Sequence, residues 1–549
     1  MDRPLVVQSD RTLLLDVHSP SAEECRAEII VFTELVKSPE HVHTYQITAL
    51  SLWNACSSGF SSARAIEVLK RWSRFDIPQS VLFFIEDTAS RFGALTLDEL
   101  DGNTLILTVK KEIYYRQILA AQSLKDLVTP YGMDSFTVPL LYRGELKVRL
   151  IKLGFPVDDL VPLKKGEKLE FSLSPDFRAR EYQETAVKAL LGNMEKGTGY
   201  GNIVLPCGSG KTIVGLIALQ RLKTHALILC PNVASVHQWI REILDKTTLT
   251  RDMVGEYSGE VKEIRPITVC TYQVLTWREN VEADFKHFRI LSEHNWGFVI
   301  YDEVHMLPAP VFKITSSLQS VYRLGLTATL VREDGREDEV FSLVGPKRYD
   351  VPWSVLEKQG FIAKAYCHEI RIDLPDDLEV KYALAKQREK YRIASENPRK
   401  LDLVEKLVNE HPDDRILIIG QYIDQLNMLK ARFGWPMITG TTANSRRDRL
   451  YDDFRNGKER ILIVSKVANF AIDLPDASMA IQVSGSFGSR QEEAQRLGRI
   501  LRPKLRDSHF YTIVTKFSNE EEFALNRQKF LSEQGYSYTV ENLELEEWK

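Results

Sequence analysis

The segment NIVLPCGSGKTIVGLIALQ (202–220) holds the residues whose types and spacing most clearly suit a chemical task. A strand-like apolar run, a glycine-bearing loop and a helical run follow one another directly. Gly208 and Gly210, on either side of Ser209, let the loop bend so that its N–H groups face an anion, and the helix N-terminus adds a favourable dipole. Lys211 would neutralise phosphate charge during catalysis. The segment therefore predicts a phosphate-binding loop.

Residues around this loop make the predicted ligand more specific. Thr212 carries the hydroxyl that ligates Mg²⁺ in loops of this type. Gln183 suits an adenine because an amide can both donate to and accept from the edge of a base, and Tyr182 or Arg180 could stack beside it. Leu205 stands where the general motif has its first glycine, so the strict pattern is not met. Together these residues predict a site for ATP and Mg²⁺.

Two adjacent carboxylates end the apolar run WGFVIYDE (296–303). The carboxyl ends of parallel strands are where ligands of such sheets bind. We expect Asp302 to hold Mg²⁺ through water and Glu303 to accept the proton of the attacking water. A surface turn after a buried strand is the alternative, but the phosphate loop upstream favours catalysis. The predicted reaction is hydrolysis of ATP.

A helical pattern in the last third of the chain, QEEAQRLGRILRPK (491–504), places three arginines at successive turns. Such arginines are usually only solvated. Here Gly498 beside Arg499 favours the hypothesis that Arg499 and Arg502 reach the γ-phosphate across a cleft. An arginine supplied in this way accelerates hydrolysis by roughly 10³–10⁵.

These residues require elements that position them. Apolar strand-like runs alternate with helical segments in two series, which is typical of α/β lobes with parallel sheets covered on both faces. We predict a first lobe over 177–356 and a second over 357–549, with a ligand cleft between them. The runs lie at 202–206, 226–231, 266–272, 296–303 and 322–329, then at 415–422, 436–442, 460–466, 479–485 and 509–515.

Residues 1–155 read as an α+β domain. Ser19 and Pro20 predict the start of a helix that runs to about Lys37. Three helices and a hairpin around Asp101-Gly102-Asn103 then follow in the order of a winged helix, with the helices at 47–59, 61–74 and 78–93. Docking on duplex DNA and a purely structural role remain equal alternatives for this domain. The polar, proline-containing stretch 156–176 predicts a linker.

Composition limits the remaining classes of protein. The 549 residues are 44% hydrophobic and 27% charged, with a net charge of −4, so any nucleic-acid path must be a local groove. The absence of an apolar run of ~20 residues and of a signal peptide predicts a cytoplasmic protein with no membrane contact. The six cysteines form no C-x-x-C pair, so they indicate reduced, buried residues rather than a zinc or iron–sulfur site.

The motifs occur in the order of a superfamily 2 helicase, whose lobes are RecA-like: REYQ, LPCGSGKT, DEVH, TAT, SKVANFAIDLPDA and QRLGRILR. Directly after TAT, Arg332, Glu333 and Asp334 resemble the RED motif of XPB helicases. Opening segments such as LVVQSDRTLLL also resemble bacterial XPB proteins, so the resemblance covers essentially the whole chain. It implies ATP-dependent 3′→5′ movement on DNA, with RED at the point of strand separation.

The resemblance also implies roles and partners. Asp473 is assigned to nucleotide binding, and the relay between nucleotide and lobes to His305, Thr327, Thr329 and Gln495. A short thumb-like insertion, with room for little more than one helix, is expected near 379–400. The expected substrates are single-stranded DNA and fork or duplex junctions, and the expected protein partner is a nuclease or repair protein. DNA repair is implied by this resemblance alone.

Loops at the ends of the predicted strands supply the expected contacts with a DNA strand. These contacts should favour phosphates over bases, which gives little sequence preference. Besides RED, the residues expected to touch DNA are Asn232, Tyr272, Thr441 and Lys466.

Two rival functions use the same motifs. A translocase could move along duplex DNA without separating its strands, and RED favours unwinding over this alternative. An ATP-gated DNA-binding scaffold would need no hydrolytic base, so the complete catalytic set argues against it.

Replacing Arg332, Glu333 and Asp334 together with alanine separates movement from strand separation. The triple variant should retain most DNA-stimulated ATPase activity, because the nucleotide residues are unchanged, while unwinding of forked DNA falls. Parallel ATPase and fork-unwinding assays measure both. If RED is only a surface ion pair, worth ~0–1 kcal/mol, both activities survive. Equal loss of both would assign RED to lobe closure.

Overall fold

A computed structural model describes most of the chain. The described residues are 3–37, 41–192, 195–206, 208–278, 286–288, 290, 294–307, 321–328, 337–351, 353–361, 364–465, 477–485, 507–525 and 538–543. They form two compact units. The first comprises Met1–Glu34, Thr44–Leu205 and Gly210–Asp350, and the second comprises Leu35–His43, Pro206–Ser209 and Val351–Lys549.

The N-terminal residues mix helices and strands, as predicted. Their strands form two sheets, with orders β1-β2-β4-β3 and β7-β8-β6-β5-β9. In chain order the elements are β1 (Leu5–Val7), β2 (Thr12–Asp16), α1 (Ala22–Ile29), β3 (Glu34–Lys37), β4 (Val42–Gln46), α2 (Ala49–Ser57), α3 (Ser62–Trp72), α4 (Gln79–Arg91), β5 (Leu95–Asp101), β6 (Thr104–Val109), α5 (Glu112–Ala120), β7 (Thr129–Tyr131), β8 (Ser135–Pro139), α6 (Arg143–Lys152) and β9 (Val157–Asp159).

The three consecutive helices predicted in this region are α2, α3 and α4. Hydroxyl side chains fix two of their starts: Thr48 accepts a hydrogen bond from the backbone N–H of Ser51, and Ser61 accepts one from Arg64. The prediction of one helix from Ser19 to Lys37 is wrong, because α1 ends at Ile29 and β3 follows. The alternation of exposed Glu34 and buried Leu35 suits a strand better than a helix.

The predicted hairpin exists as β5 and β6, but it is not the two-stranded wing of a winged helix. It lies at the centre of a five-stranded mixed sheet whose other strands are β7, β8 and β9. Buried leucines on both strands pack with Phe136 of β8 and with Leu146 and Leu150 of α6. The winged-helix interpretation is corrected because these later elements complete the core that the hairpin alone lacks.

The stretch 156–176 is held against its neighbours along much of its length. Its first residues form β9, which pairs in parallel with β5. Isolated bridges then join Lys164 to Val321, Lys168 to Thr224 and Leu173 to Thr247. The expected linker therefore lies along the following α/β lobe.

The first α/β lobe contains a seven-stranded sheet whose pairings are all parallel, as predicted. The strand order is β12-β13-β11-β14-β15-β10-β16. Every residue of the central β10, β11 and β13 is buried, which explains their continuous apolar runs. The elements are α7 (Glu181–Leu191), β10 (Tyr200–Val204), α8 (Lys211–Leu222), β11 (Ala226–Cys230), α9 (Val233–Lys246), β12 (Val254–Tyr257), β13 (Ile267–Thr271), α10 (Tyr272–Leu275), β14 (Phe298–Asp302), β15 (Tyr322–Thr327), α11 (Glu337–Leu343) and β16 (Lys347–Asp350).

A buried charge cluster joins the N-terminal residues to this lobe. Asp159 accepts hydrogen bonds from Arg143 Nε at 3.0 Å and Nη2 at 2.8 Å, and from Lys147 Nζ at 2.8 Å. The hydroxyl of Tyr200 donates to the Asp159 carbonyl oxygen at 2.9 Å, and the Arg323 guanidinium lies 5.0 Å from the centroid of the Tyr200 ring. The cluster thus connects α6 and β9 to the strands β10 and β15.

Burial and charge shift the pKa values in this cluster. Burial lowers the pKa of Lys147 to about 7, although Asp159 opposes the shift. Burial alone would raise the pKa of Asp159, but Lys147 and Arg143 hold it well below its ordinary value. The Asp159 carboxylate is therefore ionised and balances the buried cations around it.

The second unit contains the other predicted seven-stranded sheet, again with parallel pairings. The strand order is β19-β20-β18-β21-β22-β17-β23. The elements are α12 (Trp353–Lys358), β17 (Ala365–Ile372), α13 (Asp376–Leu384), α14 (Gln387–Ser395), α15 (Arg399–Glu410), β18 (Ile416–Gly420), α16 (Ile423–Phe433), β19 (Met437–Ile438), α17 (Asn444–Arg455), β20 (Ile461–Ser465), β21 (Met479–Gln482), β22 (Ser508–Thr515) and β23 (Tyr538–Asn542).

The segment expected to form a thumb, 379–400, contains more helix than its length suggested. It covers most of α13, all of α14 and the start of α15. Tyr391 and Ser395 of α14 are buried, and the Tyr391 hydroxyl donates to the Gly485 carbonyl oxygen. At the start of α15, buried Lys400 donates to Glu520 at 2.8 Å. The α14 helix is therefore part of the core of this lobe.

The composition predicted buried, reduced cysteines and no membrane-spanning segment. Four of the described cysteines, Cys25, Cys230, Cys270 and Cys367, are buried, and Cys56 is partly buried. Among the helices that the structure describes, none has the length and apolar character needed to span a bilayer.

Replacing Asp159 with asparagine should lower the free energy of unfolding by about 3–5 kcal/mol, because it leaves buried cations without their carboxylate. Thermal or urea unfolding of the full chain measures the loss. Lys196→Ala, which breaks the more exposed Lys196–Asp98 pair, is the matched control and should change stability by about 0–1 kcal/mol. Equal stability of the two variants would contradict a structural role for the cluster.

Candidate active site

The predicted nucleotide residues of the first lobe follow strands that end at one edge of its sheet. The phosphate loop follows β10, Asp302 ends β14 and Thr327 ends β15. The backbone N–H of Leu205 donates to the Thr327 carbonyl oxygen at 2.9 Å, which extends the β10–β15 pairing to this edge. The carboxyl edge of a parallel sheet is a ligand-binding edge, so the structure brings these residues to the expected place.

The phosphate loop has the backbone that its glycines predicted. Gly208 has φ 77°, and Gly210, the N-cap of α8, has φ 82° and ψ 46°. Both lie in the left-handed region that favours glycine. Ser209 is buried and its hydroxyl donates to the Pro206 carbonyl oxygen at 2.6 Å. Cys207 lies outside the described residues.

Gln183 lies beside this loop. Its side chain is buried, and its Oε1 accepts a hydrogen bond from the Arg180 backbone N–H at 2.9 Å. A Cβ atom added to Gly210 would lie 2.7 Å from Gln183 Nε2. The Arg180 guanidinium donates to the Tyr182 hydroxyl at 3.1 Å. The REYQ segment therefore borders the first turn of α8, where Lys211 and Thr212 lie.

The paired carboxylates are held in different ways. Asp302 accepts hydrogen bonds from Trp239 Nε1 at 3.0 Å and from the Glu303 backbone N–H at 3.1 Å. Glu303 has left-handed backbone angles, φ 47° and ψ 56°, which cost a non-glycine residue roughly 1–2 kcal/mol. Lys211 Nζ lies 3.4 Å from Glu303 Oε1, with both side chains largely buried. The Glu303 carboxylate thus faces the phosphate-loop lysine from a residue with an unfavourable backbone conformation, as is common at functional sites.

The two carboxyl groups have opposite pKa shifts. Burial and the neighbouring Glu303 charge raise the pKa of Asp302 to about 6. Burial alone would raise the pKa of Glu303, but Lys211 and His305 lower it below its ordinary value. Glu303 is therefore the carboxylate that stays ionised most readily, as a proton acceptor must.

A buried histidine connects Glu303 to the end of β15. His305 Nδ1 lies 2.7 Å from the Thr327 hydroxyl and 3.4 Å from Glu303 Oε2. The backbone N–H of Ala328 also hydrogen-bonds to the Glu303 carboxylate. Two residues that sequence assigned to coupling, His305 and Thr327, therefore contact each other beside the predicted base.

The residues predicted to contact a DNA strand lie in different environments. Asn232 accepts a hydrogen bond from the Ser235 backbone N–H at 2.9 Å and caps α9. Tyr272 is buried, and its hydroxyl donates to the Asp302 carbonyl oxygen at 2.9 Å, so its position favours support of the carboxylate strand. Thr441, in the second unit, is exposed and lies 3.0 Å from the Thr439 hydroxyl oxygen.

Several predicted site residues lie outside the described part of the chain, and their roles stay predictions. They are Thr329, Arg332, Glu333, Asp334, Lys466, Asp473, Gln495, Arg499 and Arg502.

Sequence reasoning missed Trp239. This α9 residue is buried and donates to Asp302, and its ring lies where a Cβ on Gly215 of α8 would be only 2.6 Å away. The amphipathic pattern of α9 identifies Trp239 only as a core residue, because the contact with Asp302 joins distant parts of the chain.

The residues at this edge fit ATP and Mg²⁺. Gly210, in a left-handed conformation, precedes the N-terminus of α8, where backbone N–H groups can bind an anion, and Lys211 is the first residue of that helix. Thr212 and Asp302 supply the oxygen donors that Mg²⁺ prefers. Two tandem parallel-sheet lobes, the first with a phosphate loop and paired carboxylates at one edge, define the class as a superfamily 2 helicase.

Comparisons with known proteins identify the family. The model for the ERCC3/RAD25/XPB C-terminal helicase matches residues 356–547, that for the type III restriction enzyme res subunit matches 176–332, and that for a helicase conserved C-terminal domain matches 5–130. A protein from Kineococcus radiotolerans named DNA 3′-5′ helicase XPB is 48% identical over 98% of this chain and 96% of that protein. A protein of the same name from Mycobacterium tuberculosis is 46% identical over 98% of both. The chain belongs to the XPB helicase family.

A solved structure shares the fold of the lobes. The ATP-dependent type ISP restriction-modification enzyme LlaBIII, bound to DNA, matches with a TM-score of 0.50 and 14% identity over 67% of this chain and 31% of that chain. This likeness shows the fold alone.

Replacing Gly210 with alanine tests the geometry of the phosphate loop. A left-handed φ costs an alanine roughly 1–2 kcal/mol, and the added Cβ would also press on Gln183, so ATP should bind about tenfold more weakly or worse. Titration with a fluorescent ATP analogue measures this. Gly102→Ala, where an added Cβ meets nothing within 4 Å, is the control and should bind normally. Unchanged binding by Gly210→Ala would contradict this loop geometry.

Proposed function

We propose that this protein is an ATP-dependent DNA helicase that moves 3′→5′ along one strand and unwinds duplex DNA. Membership of the XPB family supports the reaction class. The observation that carries the proposal is the set of contacts from Lys211 through Glu303 and His305 to Thr327. These contacts connect the hydrolytic site to the end of β15, which directly precedes the predicted DNA-contacting RED segment.

In this proposal Glu303 is the general base. Its carboxylate is ionised, is held by Lys211 and His305, and accepts the proton of the water that attacks the γ-phosphate. Lys211 offsets negative charge on the phosphates, and the first turn of α8 orients them. Bound Mg²⁺, with Thr212 and Asp302 as its candidate protein ligands, supplies further neutralisation of phosphate charge. Gln183 contacts the adenine, and Asp473 completes nucleotide binding.

The relay to DNA uses His305 and Thr327, with Thr329 and Gln495 as further members. When Glu303 accepts the proton of the attacking water, the charge that His305 faces changes, and His305 contacts Thr327 directly. Arg499 and Arg502 are proposed to stabilise the γ-phosphate during hydrolysis. Each lobe would then respond to the state of the nucleotide.

The DNA path is proposed to follow loops after the parallel strands of both lobes. Asn232 and Thr441 are placed after β11 and β19, and Lys466 would follow β20. Tyr272 is proposed to support the residues of this path rather than to contact DNA itself, because its hydroxyl donates a hydrogen bond to the Asp302 carbonyl oxygen. RED, at Arg332 to Asp334, is proposed to act at the point of strand separation.

The domain division is part of the proposal: an N-terminal domain over 1–155, a connecting segment over 156–176, and helicase lobes over 177–356 and 357–549. A short thumb-like element near 379–400 is assigned to the second lobe. We place the protein in the cytoplasm, at single-stranded DNA and fork or duplex junctions. A role in DNA repair, with a nuclease or repair protein as partner, is proposed from family membership alone.

Glu303→Gln and Lys211→Ala should both abolish ATP hydrolysis but differ in ATP binding. The first removes only the base, so ATP should bind and remain intact, while the second removes a phosphate contact and should weaken binding. ATPase rates with and without single-stranded DNA, and nucleotide-binding titrations, measure these effects. Parental hydrolysis by Glu303→Gln would show that the base is another residue.

Fork-unwinding and ATPase assays of the parent protein test both the direction of movement along DNA and the two rival functions. It should unwind forks with a 3′ tail and leave those with only a 5′ tail intact. A duplex translocase would show DNA-stimulated ATPase without unwinding of either fork. An ATP-gated scaffold would bind DNA with no stimulation of hydrolysis.

A further inference from the structure

An exposed tryptophan lies at the edge of the first lobe where strands end. Trp277 follows β13 and α10, and its side chain is 46% exposed. Its backbone N–H donates to the Val274 carbonyl oxygen at 3.3 Å, which anchors the residue to α10. Since β13 is parallel to β11 and β14, its carboxyl end lies at the same edge as the phosphate loop and Asp302. A large aromatic face is thus presented beside the proposed DNA path.

Two further rings support this face. The ring centroid of His287 lies 5.9 Å from that of Trp277, at an interplanar angle of 57°. His287 Nδ1 lies 2.8 Å from the hydroxyl oxygen of Tyr257, which ends β12, and their rings meet edge to face at 5.6 Å. These contacts hold a ring cluster, Tyr257, His287 and Trp277, at the ends of the two outermost strands on this side of the sheet. Contact with His287 limits the freedom of the exposed indole.

One lysine contacts the ring cluster, and two further cations adjoin it in sequence. Lys262 Nζ lies 5.2 Å from the centroid of the Tyr257 ring and donates to the Ser258 carbonyl oxygen. Lys286 and Arg278 are exposed and adjoin His287 and Trp277 in sequence. Burial lowers the pKa of His287, and Lys262 and Lys286 add to the shift, so its imidazole is neutral near pH 7. The nearby carboxylate of Glu263 lies 3.6 Å from Arg251, which offsets its charge.

We propose that Trp277 stacks on a base of single-stranded DNA while Lys262 and Lys286 contact the adjoining phosphates. Aromatic faces beside cations are the combination that binds single strands without sequence preference, because every base has a π-face. Lys262 and Lys286 offer positive charge beside the exposed ring, and the cluster continues the edge that carries the proposed DNA path. This inference rests on the proposed function and adds to it a base contact beside the phosphate contacts.

Trp277→Leu and Trp277→Phe separate stacking from apolar bulk. The probes are a fluorescently labelled oligothymidine and an oligonucleotide of equal length whose central units are abasic, titrated without nucleotide by fluorescence anisotropy. Trp277→Leu should bind oligothymidine about 5- to 150-fold more weakly than the parent, the range expected for one lost base–aromatic stack. Trp277→Phe retains a π-face and should lose less. Neither variant should differ from the parent on the abasic oligonucleotide.

The control is Phe83→Leu, which changes a 71% exposed ring on α4 and should leave both affinities unchanged. Parental binding of oligothymidine by Trp277→Leu would overturn the stacking proposal while leaving the helicase proposal intact. Equal weakening on both oligonucleotides would also overturn it, because Trp277 would then act on the fold or the backbone path. If the parent itself bound neither oligonucleotide, the proposed DNA function would fail instead.

Discussion

Parallel pairing of three strands, β10, β15 and β14, is the constraint on which the candidate site depends. Each strand runs in the same direction, so the phosphate loop, Thr327 and Asp302 emerge at one edge although Asp302 and Thr327 lie 91 and 116 positions after Lys211. The hydrogen bond from Leu205 to Thr327 fixes the relative position of two of these ends. Lys211 can meet Glu303, and His305 can meet Thr327, because this register is set by a buried, paired sheet.

Burial at this edge of the sheet changes the ionisation of the charged side chains. Lys211 and Glu303 would be an ordinary ion pair in water, but at 11% and 15% exposure Lys211 helps to hold the pKa of Glu303 below its ordinary value. The same burial raises the pKa of Asp302, and Glu303 reinforces that shift. Neighbouring carboxylates with opposite shifts are suited to different tasks, one as a cation ligand and one as a proton acceptor. The left-handed backbone at Glu303 is a local cost that the surrounding sheet offsets.

The N-terminal residues also contact the strands that position the nucleotide site. Arg323 lies on β15 at the opposite end from Thr327, within the cluster that includes Tyr200 and Asp159. One strand therefore carries a domain contact near its start and the coupling threonine at its end. The N-terminal residues are in this way part of the framework that positions β15. Local sequence could not indicate this, because only the tertiary fold brings Asp159 to Tyr200 and Arg323.

The sequence by itself determined the strands, the phosphate loop, the paired carboxylates and the family, because each depends on short-range patterns such as apolar runs, glycines and adjacent acids. It failed where a partner distant in the chain decides the outcome. Strand β3 replaced the last turn of a predicted helix, and three additional strands turned a predicted wing into a five-stranded sheet. Tertiary structure alone buried Tyr272, directed Trp239 to Asp302 and brought Trp277 beside His287. Side-chain contacts across a fold depend on register and burial, which periodicity along one segment does not specify.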